Sequence, residues 1–138
     1  MLESYSIAFL GILVIILTVV VQSLVAAKPK AEQPGAIPGK IDNSLSHSSF
    51  VFRANRTFAN SLENITVMLA TSFLAILVGV DTFWAGGIIW VMAISRIIHM
   101  ALCYSIATEQ NPSPRSYFYL IALVANIVLL GLCGWAIV

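Results

Sequence analysis

The chain has 138 residues, of which 59% are hydrophobic and only 9% are charged, whereas a soluble domain typically has about 25% charged residues. This composition excludes an ordinary water-soluble globule and a disordered tail, and a net charge of +1 excludes the basic surface of a nucleic-acid-binding protein. We therefore expect a membrane protein, in which a single domain of residues 1–138 has room for four spans and their loops.

The first predicted span covers residues 7–27, which contain no charged residue. At about 1.5 Å per residue this segment is long enough to cross a hydrocarbon core of roughly 30 Å. A secretory signal is the alternative, but the residues before the segment include Glu3 and no Lys or Arg, which argues against it. Residues 28–49 are rich in Pro, Gly, Lys and Ser, which predicts a loop, and Ser48 and Ser49 are candidate caps for the next helix.

Three more apolar segments predict spans at about residues 50–80, 83–107 and 117–138. A short turn at Asp81 and Thr82 separates the second span from the third, and polar residues 108–114 separate the third from the fourth. The fold predicted is an all-α, multi-pass membrane four-helix bundle. Most Lys and Arg residues of the loops and their edges lie in or beside the first and third loops, so we expect these loops to face the cytoplasm.

The second predicted helix carries a polar stripe at membrane depth. At about 100° per residue, its charged and amide residues fall within an arc of roughly 100°; they are Arg53, Arg56, Asn60, Glu63 and Asn64. By the same arithmetic, Arg96, His99 and Cys103 share an arc of roughly 60° on the third helix. A charge at the centre of a span costs about 2.5 to 3.5 kcal/mol, so these charges must be paired or solvated.

Two interpretations of the stripe follow. In the first, Glu63 and Arg96 form a structural ion pair supported by interhelical hydrogen bonds. That pair leaves Arg53 and Arg56 without acidic partners in the second and third spans, so in the second interpretation the stripe binds a ligand with carboxylates. Arginines bind carboxylates bidentately and a glutamate binds an ammonium group, so the stripe suits an amino acid or a short peptide.

The residues of this stripe carry a family resemblance. The segment Arg53–Asn64, RANRTFANSLEN, resembles the second-helix signature of the MAPEG family, the membrane-associated proteins of eicosanoid and glutathione metabolism, which reads approximately R-x-x-R-A-x-x-N-x-x-E-N. The third-helix sequence from Arg96 to His99 and the Pro114-Arg115-Ser116 sequence that opens the fourth helix are similar to a second cluster of that family. The number of spans and the chain length agree as well.

The resemblance implies a homotrimer that binds glutathione between neighbouring subunits, in a site open toward the cytoplasm. It implies that Arg56, Asn60 and Glu63 hold the glutathione backbone, with Glu63 and His99 near the γ-glutamyl end. Arg53 and Arg96 would pair with carboxylates of ligand or protein. Arg115 and Ser116 would be the catalytic residues, with Arg115 stabilising the thiolate. Tyr119 would line the site, as would Tyr104, which lies one place after Cys103. Many relatives carry a tyrosine at the position of Cys103.

The resulting hypothesis is a glutathione-dependent membrane enzyme, a transferase or a peroxidase. A thiol with a pKa near 8.5 is only slightly ionised at neutral pH, and a guanidinium beside the sulfur favours the nucleophilic thiolate. The thiolate would attack a lipophilic electrophile or reduce a lipid hydroperoxide that arrives from the bilayer. The alternatives are a non-catalytic lipid-binding member of the family and a proton-coupled transporter that uses Glu63.

Three further residues have simpler interpretations from the sequence alone. Without the resemblance, Arg115 would be a cytoplasmic anchor. Cys103 and Cys133 lie in apolar segments and are expected to be small buried hydrophobes. His47 lies in the first loop and is expected to be solvated.

Overall fold

The computed structural model describes residues 2–138, and its regular secondary structure is entirely helical. The helices are α1 (Ser6–Ala31), α2 (Phe50–Leu77), α3 (Thr82–Ser105) and α4 (Pro114–Ile137). All four are long and apolar enough to cross a membrane. The prediction of an all-α membrane four-helix bundle is confirmed, and the protein is an integral membrane protein.

The helix bounds differ from the predicted spans by a few residues. Helix α1 continues past residue 27 to Ala31 and includes Pro29. Hydropathy marks the edge of the apolar run, whereas the helical hydrogen bonds continue beyond it, and the Glu32 amide donates to the Lys28 carbonyl at 3.2 Å. Helix α4 begins at Pro114, three residues before the predicted apolar span and at the position that the family resemblance implies, because proline at a first helical position loses no helical hydrogen bond.

The turn between α2 and α3 depends on Gly79. This residue has φ +77°, a conformation that glycine adopts without steric cost. The Val80 amide donates to the Ala75 carbonyl at 2.9 Å, and the Gly79 amide donates to the Ile76 carbonyl at 3.3 Å, which together form a Schellman motif. Asp81 Oδ1 then accepts from the Phe83 and Trp84 amides and caps α3. Thr82, predicted in the turn, is therefore the first residue of α3.

As α2 does, helix α3 contacts all three other helices. Its Ile89 and Met92 are fully buried, together with Leu129 of α4. Close approach of α1 depends on two glycines. A Cβ at Gly11 would lie 2.7 Å from Ile89 Cγ2, and one at Gly86 would lie 3.1 Å from Ile7 Cγ2. Small residues permit such close packing of helices in lipid.

The two ends of the bundle differ. At one end, Tyr5 donates to the Val80 carbonyl at 2.7 Å and Trp90 Nε1 donates to the Ile7 carbonyl at 3.0 Å, so α1 is bound to α3 and to the turn before it. The opposite end, called the loop end here, holds the segments 32–49 and 106–113. These two loops are joined where the His47 amide donates to Glu109 Oε1 at 3.0 Å.

Candidate functional site

A cavity of about 230 Å³ lies at the loop end, where the start of α2, the last turns of α3 and the start of α4 meet. We call it the site cavity. It brings together seven of the residues predicted from the sequence, which are Arg53, Arg56, Asn60, His99, Arg115, Ser116 and Tyr119. The remaining lining residues are His47, Thr57 and Cys103. Glu63, Arg96 and Tyr104 do not line this cavity.

Arg53 connects three segments of the loop end. Its Nη1 donates to the His47 and Ser48 carbonyls at 2.7 and 3.0 Å, and its Nη2 donates to the Tyr104 carbonyl at 3.3 Å. These contacts tie the first loop and the end of α3 to the first turn of α2. Ser49 is the N-cap residue of α2, but its side chain makes no capping hydrogen bond, so the predicted serine cap is not formed.

Arg56 and Glu63 form an ion pair along α2, with Arg56 Nη1 3.0 Å from Glu63 Oε1. The alternative prediction, a structural pair between Glu63 and Arg96, is therefore wrong. Both side chains of the observed pair are about half exposed, at 54% and 57%. Glu63 lies in the middle of a 28-residue helix, so this exposed charge pair is at membrane depth.

Arg96 is buried, and its hydrogen-bond partners within residues 2–138 are neutral. Its side chain donates to Asn60 Oδ1 at 2.9 Å and to Ser61 Oγ at 2.7 Å. It lines a second cavity of about 100 Å³, deeper in the bundle, which also includes Glu63 and Asn126. Tyr119 lines both cavities, so the two are neighbours. Asn126 was not predicted, and its buried Oδ1 has no hydrogen-bond partner among residues 2–138.

The start of α4 contributes Arg115 and Ser116. Arg115 makes one long hydrogen bond, from Nη2 to the Thr108 carbonyl at 3.4 Å. Ser116 Oγ accepts from the Ser113 amide at 3.2 Å, which fixes the hydroxyl in the first turn of the helix. The positive end of the helix dipole lies at the same place. A guanidinium, a hydroxyl and a helix start together form a favourable environment for an anion.

The site cavity is cationic because few of its charges are neutralised. Within residues 2–138, carboxylates lie within 4.0 Å of Arg56 and of His47 only. Arg53 and Arg115, which line the cavity, therefore keep positive charges that neutral acceptors do not cancel. Charge-assisted hydrogen bonds to carboxylates are stronger than neutral ones, so the cavity is suited to an anionic ligand.

Two residues that line the cavity, His47 and Cys103, differ from what the sequence predicts for them. His47, predicted to be solvated, has a side chain that is only 18% exposed and lines the cavity, so that prediction is wrong. Its position depends on the path of the first loop, for which the sequence contains no signal. Cys103 is buried as predicted, but its sulfur also lines the cavity, 3.8 Å from both ring nitrogens of His99. The sequence signal for this position is that Cys103 shares one arc of the third helix with Arg96 and His99.

Tyr104 has a different environment from the one that the resemblance implies. Its ring packs edge-on against Phe50, with 5.6 Å between the ring centroids. Its hydroxyl is buried and has no hydrogen-bond partner among residues 2–138. Its carbonyl group contributes to the loop end, where it accepts a hydrogen bond from Arg53. A role for the Tyr104 side chain in ligand binding remains a prediction.

Comparison with known proteins adds one finding. No curated protein and no solved structure matches the chain significantly. The family model described as MAPEG family matches residues 7–135. The match covers nearly the whole chain and includes every residue that lines the site cavity. The chain belongs to the MAPEG family, a group of membrane proteins of glutathione and eicosanoid metabolism.

Proposed function

We propose that the protein is a membrane-bound glutathione transferase or peroxidase. In this proposal it binds glutathione in the site cavity and holds its thiol as a thiolate for attack on lipophilic electrophiles or lipid hydroperoxides. The observation that supports this most directly is the position of Arg115, which lines the cavity beside Ser116 and, within residues 2–138, has no carboxylate within 4.0 Å.

The side chains present fit the groups of glutathione, which has two carboxylates, one ammonium group and a thiol. Arg56 and Asn60 line the cavity and are suited to bind the peptide and one carboxylate. Glu63, at the edge of the neighbouring cavity, is suited to bind the ammonium group. Arg115 and Ser116 remain for the sulfur. Arg53 has three backbone acceptors, so we assign it mainly to holding the first loop in place.

Glutathione supplies a nucleophilic sulfur, and the protein controls how much of it is ionised. A cationic neighbour lowers the pKa of a thiol, which is about 8.5 in the free state. A pKa lower by about two raises the thiolate fraction at neutral pH roughly 20-fold. Arg115 provides this charge, and Ser116 Oγ, which already accepts from Ser113, can donate its own proton to the sulfur.

The exposed Arg56–Glu63 pair supports the proposal of a homotrimer with the site between subunits. A charged group facing lipid at the centre of a span costs about 2.5 to 3.5 kcal/mol, and both members of this pair are about half exposed. A neighbouring chain would cover the pair and keep lipid away from it. The face of the site cavity that includes Arg56 would then be completed by the second subunit.

An apolar groove on the outer face of α3 and α4 supports access from the bilayer. It has a volume of about 540 Å³ and includes Val91, Tyr117 and Leu120. Tyr117 lies two residues after Arg115, so the groove reaches the level of the proposed thiolate. We propose that the lipophilic substrate approaches along it, and that the loop end with its basic residues faces the cytoplasm.

The test is a pH titration of bound glutathione. We expect purified protein in detergent to show the ultraviolet absorption of the thiolate at neutral pH, with a titration midpoint well below the free-thiol value of about 8.5. Arg115→Ala should still bind glutathione by calorimetry. The variant should show a thiolate signal at neutral pH and a rate with an electrophile that are each lower by about 20-fold.

Lys40→Ala is the matched control, because it removes one positive charge from an exposed position of the first loop outside the site cavity. It should behave like the unmodified chain. Absence of glutathione binding in the unmodified chain would contradict the proposal. Binding without a thiolate signal or turnover would instead favour the non-catalytic lipid-binding alternative.

A further inference from the structure

We propose that Cys103 is a second reactive thiol of this site, which exchanges with glutathione disulfide to form a mixed disulfide between Cys103 and one glutathionyl group. This inference rests on the proposed function, because it requires that the cavity recognises glutathione. It adds a covalent modification and a redox control to that function.

The geometry places Cys103 over the ring of His99, in a cavity that Arg115 also lines. Cys103 lies one helical turn after His99 and is 5% exposed, and its side chain lines the same cavity as Arg115. Its Sγ is 3.8 Å from both ring nitrogens of His99. His99 is 6% exposed and also lines the cavity, and within residues 2–138 this sulfur is the only hydrogen-bonding contact of its ring. A sulfur equidistant from both nitrogens lies over the face of the ring, so the ring nitrogens stay free to bond with a ligand in the cavity.

The second free cysteine has a different environment. Cys133 lies in the other half of the bundle and is 1% exposed. Its Sγ donates to the Thr71 carbonyl at 3.9 Å, and it lines neither of the two polar cavities. The chain therefore contains its own control, a buried thiol without access to a ligand.

The exchange balances without any further oxidant. Cys103 loses its proton to solvent, and the Cys103 sulfur attacks one sulfur of the bound glutathione disulfide. The sulfur–sulfur bond of the disulfide breaks as a new one forms to Cys103. The electron pair goes to the leaving sulfur, which departs as one molecule of glutathione after taking up a proton from solvent. The positive charge of Arg115 favours this step, since exchange is faster when the leaving thiolate is stabilised.

The attached glutathionyl group would occupy the space that free glutathione needs, so the modified subunit could not bind it. Attack by reduced glutathione on the mixed disulfide reverses the modification and regenerates glutathione disulfide. The ratio of reduced to oxidised glutathione would thus set the fraction of active sites. Loss of activity under oxidising conditions would follow from the same recognition that serves catalysis.

The test uses the full chain in detergent with glutathione disulfide as the probe, followed by intact mass spectrometry and peptide mapping. We expect one added glutathionyl group per chain, located on Cys103, and a matching loss of glutathione binding. An excess of reduced glutathione should reverse both changes. Cys103→Ser should form no adduct, and its thermal unfolding will show whether it is folded. Cys133→Ser should form the adduct as the unmodified chain does.

Two outcomes would overturn the proposal, and they are distinguishable. If the unmodified chain binds glutathione as a thiolate but forms no adduct, or forms it on Cys133, the role of Cys103 is wrong and the proposed function stands. If the chain neither binds glutathione nor forms an adduct, both proposals fail.

Discussion

The four arginines of the chain lie toward the loop end of the bundle but have four different environments. Arg53 donates to three backbone carbonyls, and Arg56 is paired with Glu63. Arg96 is buried against Asn60 and Ser61, and Arg115 has a single long hydrogen bond. The number and kind of partners distinguish arginines that hold the structure from one that remains available to a ligand.

Ser61 and Ser72 allow the contribution of the Arg96 contact to be measured. Both serines are buried on α2, but Ser61 Oγ accepts from Arg96, whereas Ser72 Oγ donates to the Met68 carbonyl of its own helix. Loss of a hydrogen bond to a charged group costs about 1.5 to 3 kcal/mol. We expect Ser61→Ala to lower the free energy of unfolding in detergent by that amount and Ser72→Ala to lower it by less than about 1.5 kcal/mol.

Equal losses of unfolding free energy in the two serine variants would show that the hydrogen bond from Arg96 to Ser61 does not stabilise the fold. A weaker affinity for glutathione in Ser61→Ala, with no such change in Ser72→Ala, would in addition indicate that Arg96 positions Asn60 for the ligand. Asn60 Oδ1 accepts from Arg96 at 2.9 Å, so a shift of the guanidinium would change the orientation of that amide.

Much of the candidate site could be predicted because its residue types are costly in a membrane. Arg56 and Asn60 stand out in an apolar sequence, and their spacing places them on one face of a helix. The partner of Glu63 could not be predicted, since Arg56 and Arg96 were both plausible and the choice depends on how α2 and α3 rotate against each other. His47 could not be predicted either, because a loop has no periodicity.

Among the glycines of the helices, Gly11 has the least free space beside it, where α1 contacts α3. Gly11 faces Ile89, which is fully buried and whose Cγ2 would lie 2.7 Å from an added Cβ. That methyl group is attached directly to Cβ and cannot move away as the end of a long side chain can. Overpacking of this kind typically costs about 1 to 3 kcal/mol.

We therefore expect Gly11→Ala to lower the free energy of unfolding in detergent by about 1 to 3 kcal/mol. Gly87→Ala is the matched control, because an added Cβ there meets no atom within 4 Å and any gain in helix propensity is shared by both variants. Thermal unfolding followed by circular dichroism would measure the difference. Similar unfolding temperatures for the two variants would contradict the packing described here.

The four helices were predictable because the bilayer requires long apolar segments. Their ends were less predictable, because backbone hydrogen bonds and caps determine them and hydropathy does not. The extension of α1 through Pro29 and the start of α3 at Thr82 are examples. Both depend on local backbone geometry, which a hydropathy pattern averages over a whole turn or more.

For the whole molecule, the main prediction concerns assembly. We expect native mass spectrometry of the protein in mild detergent to give a mass of three chains, because the family resemblance implies a homotrimer and the exposed Arg56–Glu63 pair needs a protein neighbour. A cysteine introduced at Leu62, an exposed position beside Glu63, should also form a cross-link to another chain. A monomeric mass with intact glutathione binding would contradict a site shared between subunits.

The Schellman turn at Gly79 determines which polar residues of α2 and α3 lie at the same level of the bundle. Asn60 lies 19 residues before Gly79 and Arg96 lies 17 residues after it, so the two side chains meet at one level of the antiparallel pair. Extra residues in the loop 32–49 would leave that alignment intact. One residue inserted between Asn60 and Arg96 in either helix would rotate the remainder of that helix by about 100° and separate them. Length variation among homologous chains should therefore be concentrated in the first loop and absent from the α2–α3 hairpin.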